Sequence, residues 1–226
     1  MANSQSSSQD IISMAKISRA HTTFYSIPFY RDQIEVTVTK KGSEVNRWIR
    51  QTVQIHRRRL CELLVGLDVE WRATRNPAEE NPHVALLQLC VGLRCIIFQL
   101  IHADYIPNSL FSFLGNPNFS FVGVSVNGDC VKLYENYTLF VANPVDLNKL
   151  AMGVYEIEAY GRIGLKRMAH EVLGKVMEKP YHVTMSDWDA EELVYEQVEY
   201  ACIDAFMSFE LGMKLFYELN NPRELH

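Results

Sequence analysis

Two carboxylates stand one residue apart in Val65-Gly66-Leu67-Asp68-Val69-Glu70-Trp71, a run that is otherwise apolar. Side chains i and i+2 of a strand share a face, so Asp68 and Glu70 project together. Such neighbours repel each other and are poorly solvated at the end of a buried strand, and a cation between them relieves both penalties. A divalent metal is the natural occupant. The simpler alternative is a solvent-facing pair on an edge strand, since exposed acids are common. Against it stand the flanks: Leu63, Leu64, Val65, Leu67, Val69 and Trp71 are apolar on both faces, the pattern of a central strand covered on both sides.

Further acids occur in similar company. Asp129, in Gly128-Asp129-Cys130-Val131-Lys132-Leu133, opens a helix that follows the apolar run Phe121-Val122-Gly123-Val124-Ser125-Val126. An acid in a first helical turn is also favoured simply by the helix dipole. In Tyr200-Ala201-Cys202-Ile203-Asp204 the i and i+4 spacing puts the phenol and the carboxylate on one helical face. An acid among Val198, Ala201, Ile203, Ala205 and Phe206 needs a partner, and a Tyr–Asp hydrogen bond would supply one without any catalytic role.

The elements that must position these groups change in kind along the chain. Residues 21–27 and 33–39 read as two strands, with Ile34, Val36 and Val38 alternating against polar neighbours. Ser43 reads as the N-cap of a helix to about residue 56, with Val45, Trp48, Ile49 and Val53 as its apolar stripe. Arg57-Arg58-Arg59 closes that helix, either as a solvated basic face or as a phosphate contact. Residues 72–82, with two prolines, read as a loop, and residues 84–91 and 95–100 as a hairpin around Gly92-Leu93-Arg94. Strand–helix alternation follows: a helix near 107–114, a strand over 119–126, a helix over 128–137 and a short strand at 145–147. Helices over 148–152, 165–173 and about 191–218 complete the chain. Consecutive antiparallel strands leading into strand–helix units predict an α/β fold, a mixed sheet with helices on its faces.

Asp-x-Glu, then Asp, then Tyr-x-x-x-Asp, in that order, is more specific than any one of its parts. Gly66-Leu67-Asp68-Val69-Glu70-Trp71, Val122 to Asp129 with Lys132-Leu133, and Tyr200-Ala201-Cys202-Ile203-Asp204 resemble the three motifs of the DEDDy 3′-5′ exonucleases, within the Werner-syndrome exonuclease branch. Leu165-Lys166-Arg167-Met168-Ala169, Val172-Leu173-Gly174 and Ser186-Asp187-Trp188 extend the likeness over roughly residues 63–215. The resemblance implies a ribonuclease H-like mixed sheet and a two-metal hydrolysis in which Asp68, Glu70, Asp129 and Asp204 ligate two Mg²⁺ or Mn²⁺ ions. Tyr200 would orient or help deprotonate the attacking water. The sister DEDDh class has a histidine where this chain has Glu199, so the tyrosine class is the match. Trp71 is the candidate for stacking on the terminal base, with a core indole as the alternative. Arg72 and Lys132 are the candidates for phosphate contact.

Segments around Thr22-Thr23-Phe24-Tyr25 and Arg31-Asp32-Gln33-Ile34 resemble the small stand-alone plant members of this branch. That likeness implies single-stranded nucleic acid as partner, RNA ahead of DNA, a homo-oligomer such as a ring hexamer, and a small-RNA silencing complex. A DNA exonuclease acting on recessed or overhanging 3′ ends, or a silent binding module that keeps the fold, are the alternatives.

Length and composition bound the rest. A chain of 226 residues suits one domain: a Ser- and Gln-rich tail over 1–19, then residues 20–226, with a β-β-α extension over about 20–60 and a catalytic core over about 61–220. A net charge of −5 gives no global attraction to nucleic acid, so phosphate binding requires a local patch or bound metal. Cys61, Cys90, Cys95, Cys130 and Cys202 form no C-x-x-C pair and read as reduced thiols of a reducing compartment. No signal-peptide layout and no membrane-length apolar run is read, and the expectation is an intracellular protein of cytoplasm or nucleus.

Overall fold

The computed structural model describes residues 17–19, 21–72 and 83–221. Most of the Ser-rich tail and most of the 72–82 loop lie outside the described residues. Eight strands form one mixed sheet: β1 (Ile17–Arg19), β2 (Thr22–Phe29), β3 (Asp32–Thr39), β4 (Leu63–Trp71), β5 (Val84–Val91), β6 (Arg94–Gln99), β7 (Phe119–Gly123) and β8 (Pro144–Asp146), in the spatial order β1-β2-β3-β6-β5-β4-β7-β8. Residues 17–19, read as part of the tail, pair antiparallel with β2 instead. Backbone pairing to an open sheet edge decides this, not a side-chain pattern.

β4, β5 and β6 run antiparallel in succession. Gly92, at φ +60°, makes the tight β5–β6 turn. β3 pairs parallel with β6, and β4, β7 and β8 pair parallel in turn. The first hairpin is thereby continuous with the sheet that carries the acids.

Alternation along β4 separates two cores. Leu63, Val65, Leu67 and Val69 face α1 (Gly42–Ile55), α2 (Asn108–Leu114) and α3 (Val126–Tyr137). Leu64 faces the other layer, made by α4 (Leu147–Tyr155), α5 (Leu165–Leu173), the single turn α6 (Tyr181–Thr184) and the long α7 (Tyr195–Asn220). Gly66 shows how close that layer comes: a Cβ there would lie 2.0 Å from the carbonyl oxygen of Ala205. Only a glycine lets the α7 backbone reach β4 at this point, and the contact lies two residues from Asp68 and one from Asp204. Among the described residues no helix is long and apolar enough to cross a membrane.

Several boundaries differ from the sequence expectation, and at three places a local contact or turn gives the reason. α1 is capped from a distance: its first N–H, on Gly42, donates to Asp104 Oδ1 at 2.9 Å, and Ser43 makes no cap. β7 ends at Gly123 because Ser125 turns left-handed, at φ +59°, and α3 starts at Val126. α7 begins at Tyr195, not near 191, because the carbonyls of Ala190 and Glu191 accept from Gln99 Nε2 at 3.1 and 3.2 Å. The Val194 N–H that precedes the helix donates to Gln197 Oε1.

Candidate active site

Asp68 and Glu70 leave β4 on the face covered by α7, and Asp204 meets them from that helix. One carboxylate oxygen from each of the three lies within 4.8 Å of the other two. Asp204 is buried, at 3% exposure. Crowding and desolvation show in the acidities. Burial, followed by the charges of Asp204, Glu70 and Asp129, raises the Asp68 carboxyl well above its usual range, with Lys179 opposing. Burial and Asp204 push Glu70 up to about 8. Asp204 is also raised by burial, against the pull of Lys179 and the Tyr200 hydroxyl.

Asp129 stands outside this tight trio, in the first turn of α3. Its charge still reaches Asp68 and Glu70, and burial raises its own carboxyl to about 7, with Lys132 opposing and Asp146 adding to the rise. Tyr200 lies on α7 one turn before Asp204, with its ring 5.6 Å from that of the fully buried Trp188. Trp188 belongs to the Ser186-Asp187-Trp188 segment, which Gln197 ties to the start of α7 through Ser186 Oγ at 2.9 Å and the Asp187 carbonyl at 3.1 Å. Burial and Asp204 hold the Tyr200 phenol above its ordinary pKa, against Lys179 and Thr184.

Sequence reasoning missed two groups. Lys179, on the segment between α5 and α6, forms a short ion pair with Asp204 Oδ2 and sits 5.0 Å from the centre of the Tyr200 ring. Burial disfavours its charge, yet Asp204 and Asp68 raise its pKa overall. Gln88 is directly opposite Asp68 in the β4–β5 register, fully buried, and neither of its amide atoms has a hydrogen-bond partner. A lone amide in an apolar strand was the available signal for Gln88. For Lys179 no periodic pattern exists to find.

The candidate substrate contacts distribute unevenly. Trp71 packs partly buried against the core on the α1–α3 side, and Lys132 sits 4.7 Å from its ring centre. The register shift between Glu70 and Trp71 marks where β4 leaves its regular pairing. Arg72 is exposed and spans to Asp187 and Asp189 at 3.4 and 3.3 Å.

The residues present fit hard divalent cations. Asp204 Oδ1 is buried without a partner, Oδ2 is already neutralised by an ammonium, and the remaining donors are carboxylate oxygens, the ligands such ions prefer. Among the described residues no other group of three potential ligands converges in this way.

An acidic centre of this kind on a mixed, helix-flanked sheet suits metal-assisted hydrolysis of a phosphodiester. The chain belongs to the 3′-5′ exonuclease family, whose profile matches residues 37–220. An Arabidopsis thaliana 3′-5′ exonuclease is 27% identical over 190 residues, covering 82% of this chain and 65% of that protein. The mouse bifunctional 3′-5′ exonuclease/ATP-dependent helicase WRN is 28% identical over 153 residues, 67% of this chain and 11% of that one. The chain spans 65%, 58% and 30% of three such curated relatives. Among solved structures, Escherichia coli RNase D superposes with a TM-score of 0.61 at 20% identity, over 76% of this chain and 44% of that one. The Aedes aegypti Nibbler EXO domain gives 0.66 at 16% identity, over 82% and 89%. Both share the fold.

Proposed function

We propose that this chain removes nucleotides from the 3′ end of single-stranded nucleic acid by hydrolysis, with two divalent ions, Mg²⁺ or Mn²⁺, held by Asp68, Glu70, Asp129 and Asp204. The observation that carries the proposal is the convergence of the Asp68, Glu70 and Asp204 carboxylates, with one Asp204 oxygen buried and unpartnered. Bound there, the ions would activate the attacking water and stabilise the leaving 3′ oxygen. The chain's own groups do the rest. Tyr200 orients the water, or helps to deprotonate it, through its hydroxyl. Lys179 supplies positive charge to Asp204 in the protein alone. Trp188 and Gln197 fix the phenol by packing and by tying the preceding loop to α7.

RNA is the substrate of first choice, in line with the likeness to the plant members and with RNase D being an exoribonuclease. Matched RNA and DNA strands, 5′-labelled and digested in parallel with Mg²⁺, decide between the sugars through their rates. In the same assay Asp68→Asn and Asp204→Ala lower the rate by more than about a hundredfold, beyond what losing an outer-shell partner does. Tyr200→Phe lowers it by about ten- to a hundredfold, the range for losing a group that orients a metal-site ligand, and leaves metal binding intact. Unchanged digestion by Asp68→Asn would remove the assignment.

A further inference from the structure

Helix α1 and the turn behind it carry an arginine-rich surface that the hydrolytic centre does not use. Arg47, Arg50 and Arg94 line an open groove of about 920 Å³ with Gln51, Gln54, Ile55 and one acid, Glu35; Arg47 pairs with Glu44 at 3.1 Å, and a neighbouring hollow lined by Phe24 and Thr37 shares Glu35, Gln51 and Arg94 with the groove. Arg94 is fixed in orientation: it donates to Gln51 Oε1 at 2.7 Å and to Thr52 Oγ1 at 3.4 Å, with Glu35 3.9 Å away. Arg50, Arg57, Arg58 and Arg59 are exposed. Among the described residues none of these four has a carboxylate within ion-pair distance.

Topology sets the direction of this surface. β3 and β4 run the same way, so α1 starts at the end of the strands where β4 presents its acids and runs back toward the opposite end, where Arg94 begins β6 and the Arg57 turn follows the helix. From Arg47 to Ile55 the helix axis advances roughly 12 Å, and the arginines of the turn lengthen the track.

Near the acids, Lys179 pairs with Asp204, Lys132 lies beside Asp129 and over the Trp71 ring, and Arg72 spans Asp187 and Asp189. A chain of net charge −5 does not attract a polyanion as a whole, so contact with a strand away from the ion-binding centre needs a local basic surface. Planar guanidinium forks bind phosphate oxygens in pairs. A protein partner would need a large apolar anchor at the centre of the contact, and Ile55 is the one apolar side chain in the groove's lining. We propose that the α1 groove and the Arg57-Arg58-Arg59 turn form a second nucleic-acid contact, gripping phosphates of the strand upstream of the 3′ end that enters the carboxylate centre.

This inference rests on the exonuclease reading of the centre, and its test separates the two. In an Asp68→Asn background, fluorescence anisotropy compares a single strand of about 5 nucleotides with one of about 25 for the chain with and without Arg50→Glu and Arg58→Glu. The expected result is an affinity loss of about tenfold for the long strand and less than about twofold for the short one. The salt dependence of long-strand binding becomes shallower by about 1.4, at about 0.7 per lost phosphate contact. Arg50→Gln with Arg58→Gln gives the same ordering if charge reversal disturbs folding. An unchanged long-strand affinity, or equal losses for both strands, overturns the proposal. So does a change in light-scattering mass without a change in binding, which would make the surface an interface between copies. Shortening of the strands by the Asp68→Asn chain counts against the hydrolytic assignment alone.

Discussion

Glu70 and Asp129 carry protons in the folded, metal-free chain that the unfolded chain releases at lower pH. Their carboxyls are raised from 4.5 to about 8 and from 3.8 to about 7. A group whose folded pKa is raised contributes stability that is complete below the unfolded value and is lost as pH rises through the folded value. With a chelator present, stability therefore falls between pH 6 and pH 8 by about 1–3 kcal/mol, on the order of 3–10 °C in Tm for a chain of this size. Saturating Mn²⁺ takes over the role of those protons and flattens the profile, and thermal unfolding at both pH values checks it. A metal-free Tm that rises over this interval would contradict the crowding of the carboxylates. At this scale the sequence was explicit about acids and silent about their counterweights. Asp68, Glu70 and Asp204 are readable because spacing on a strand and a helix fixes their faces. Lys179 lies on an irregular segment, where no period links residue number to direction.

At the scale of elements, the centre depends on how closely α7 lies against β4. Gly66 is the contact point, with no room for a Cβ beneath the Ala205 carbonyl and the Phe209 amide at 2.8 Å. Gly212 repeats the arrangement lower on the helix, where a Cβ would meet Leu64 and Val122 at 2.8 and 2.9 Å. Gly66→Val forces the helix away, with an expected loss of about 3–5 kcal/mol, the upper range for a core disruption, and a fall in activity exceeding the fall in folded fraction. Chemical denaturation with parallel rate measurement checks both. Most strands and helices were legible because their apolar periods are local. Their ends were not: Asp104 caps α1 from beyond β6, Gln99 holds the carbonyls before α7, and Ser125 adopts a left-handed turn that a strand-like sequence conceals. Long-range pairing was equally hidden, since the parallel register of β3 with β6 depends on what each strand finds beside it.

On the scale of the whole molecule, one sheet brings together residues more than a hundred positions apart and places a helix layer on each side. The α7 layer completes the carboxylate centre, and the α1 layer carries the arginines, so charge of opposite sign is separated across one fold. Phosphate can then be held along one surface and cleaved at another. Hydrolysis at this centre requires the carboxylates to act as one ion-binding unit. Titration calorimetry with Mn²⁺ on the intact chain and on Asp204→Asn tests this most directly. The account predicts saturable binding by the intact chain that weakens by more than about tenfold in the variant, as removal of a carboxylate ligand from a hard-cation site requires. Equal binding by both chains, or none by the intact one, would contradict it.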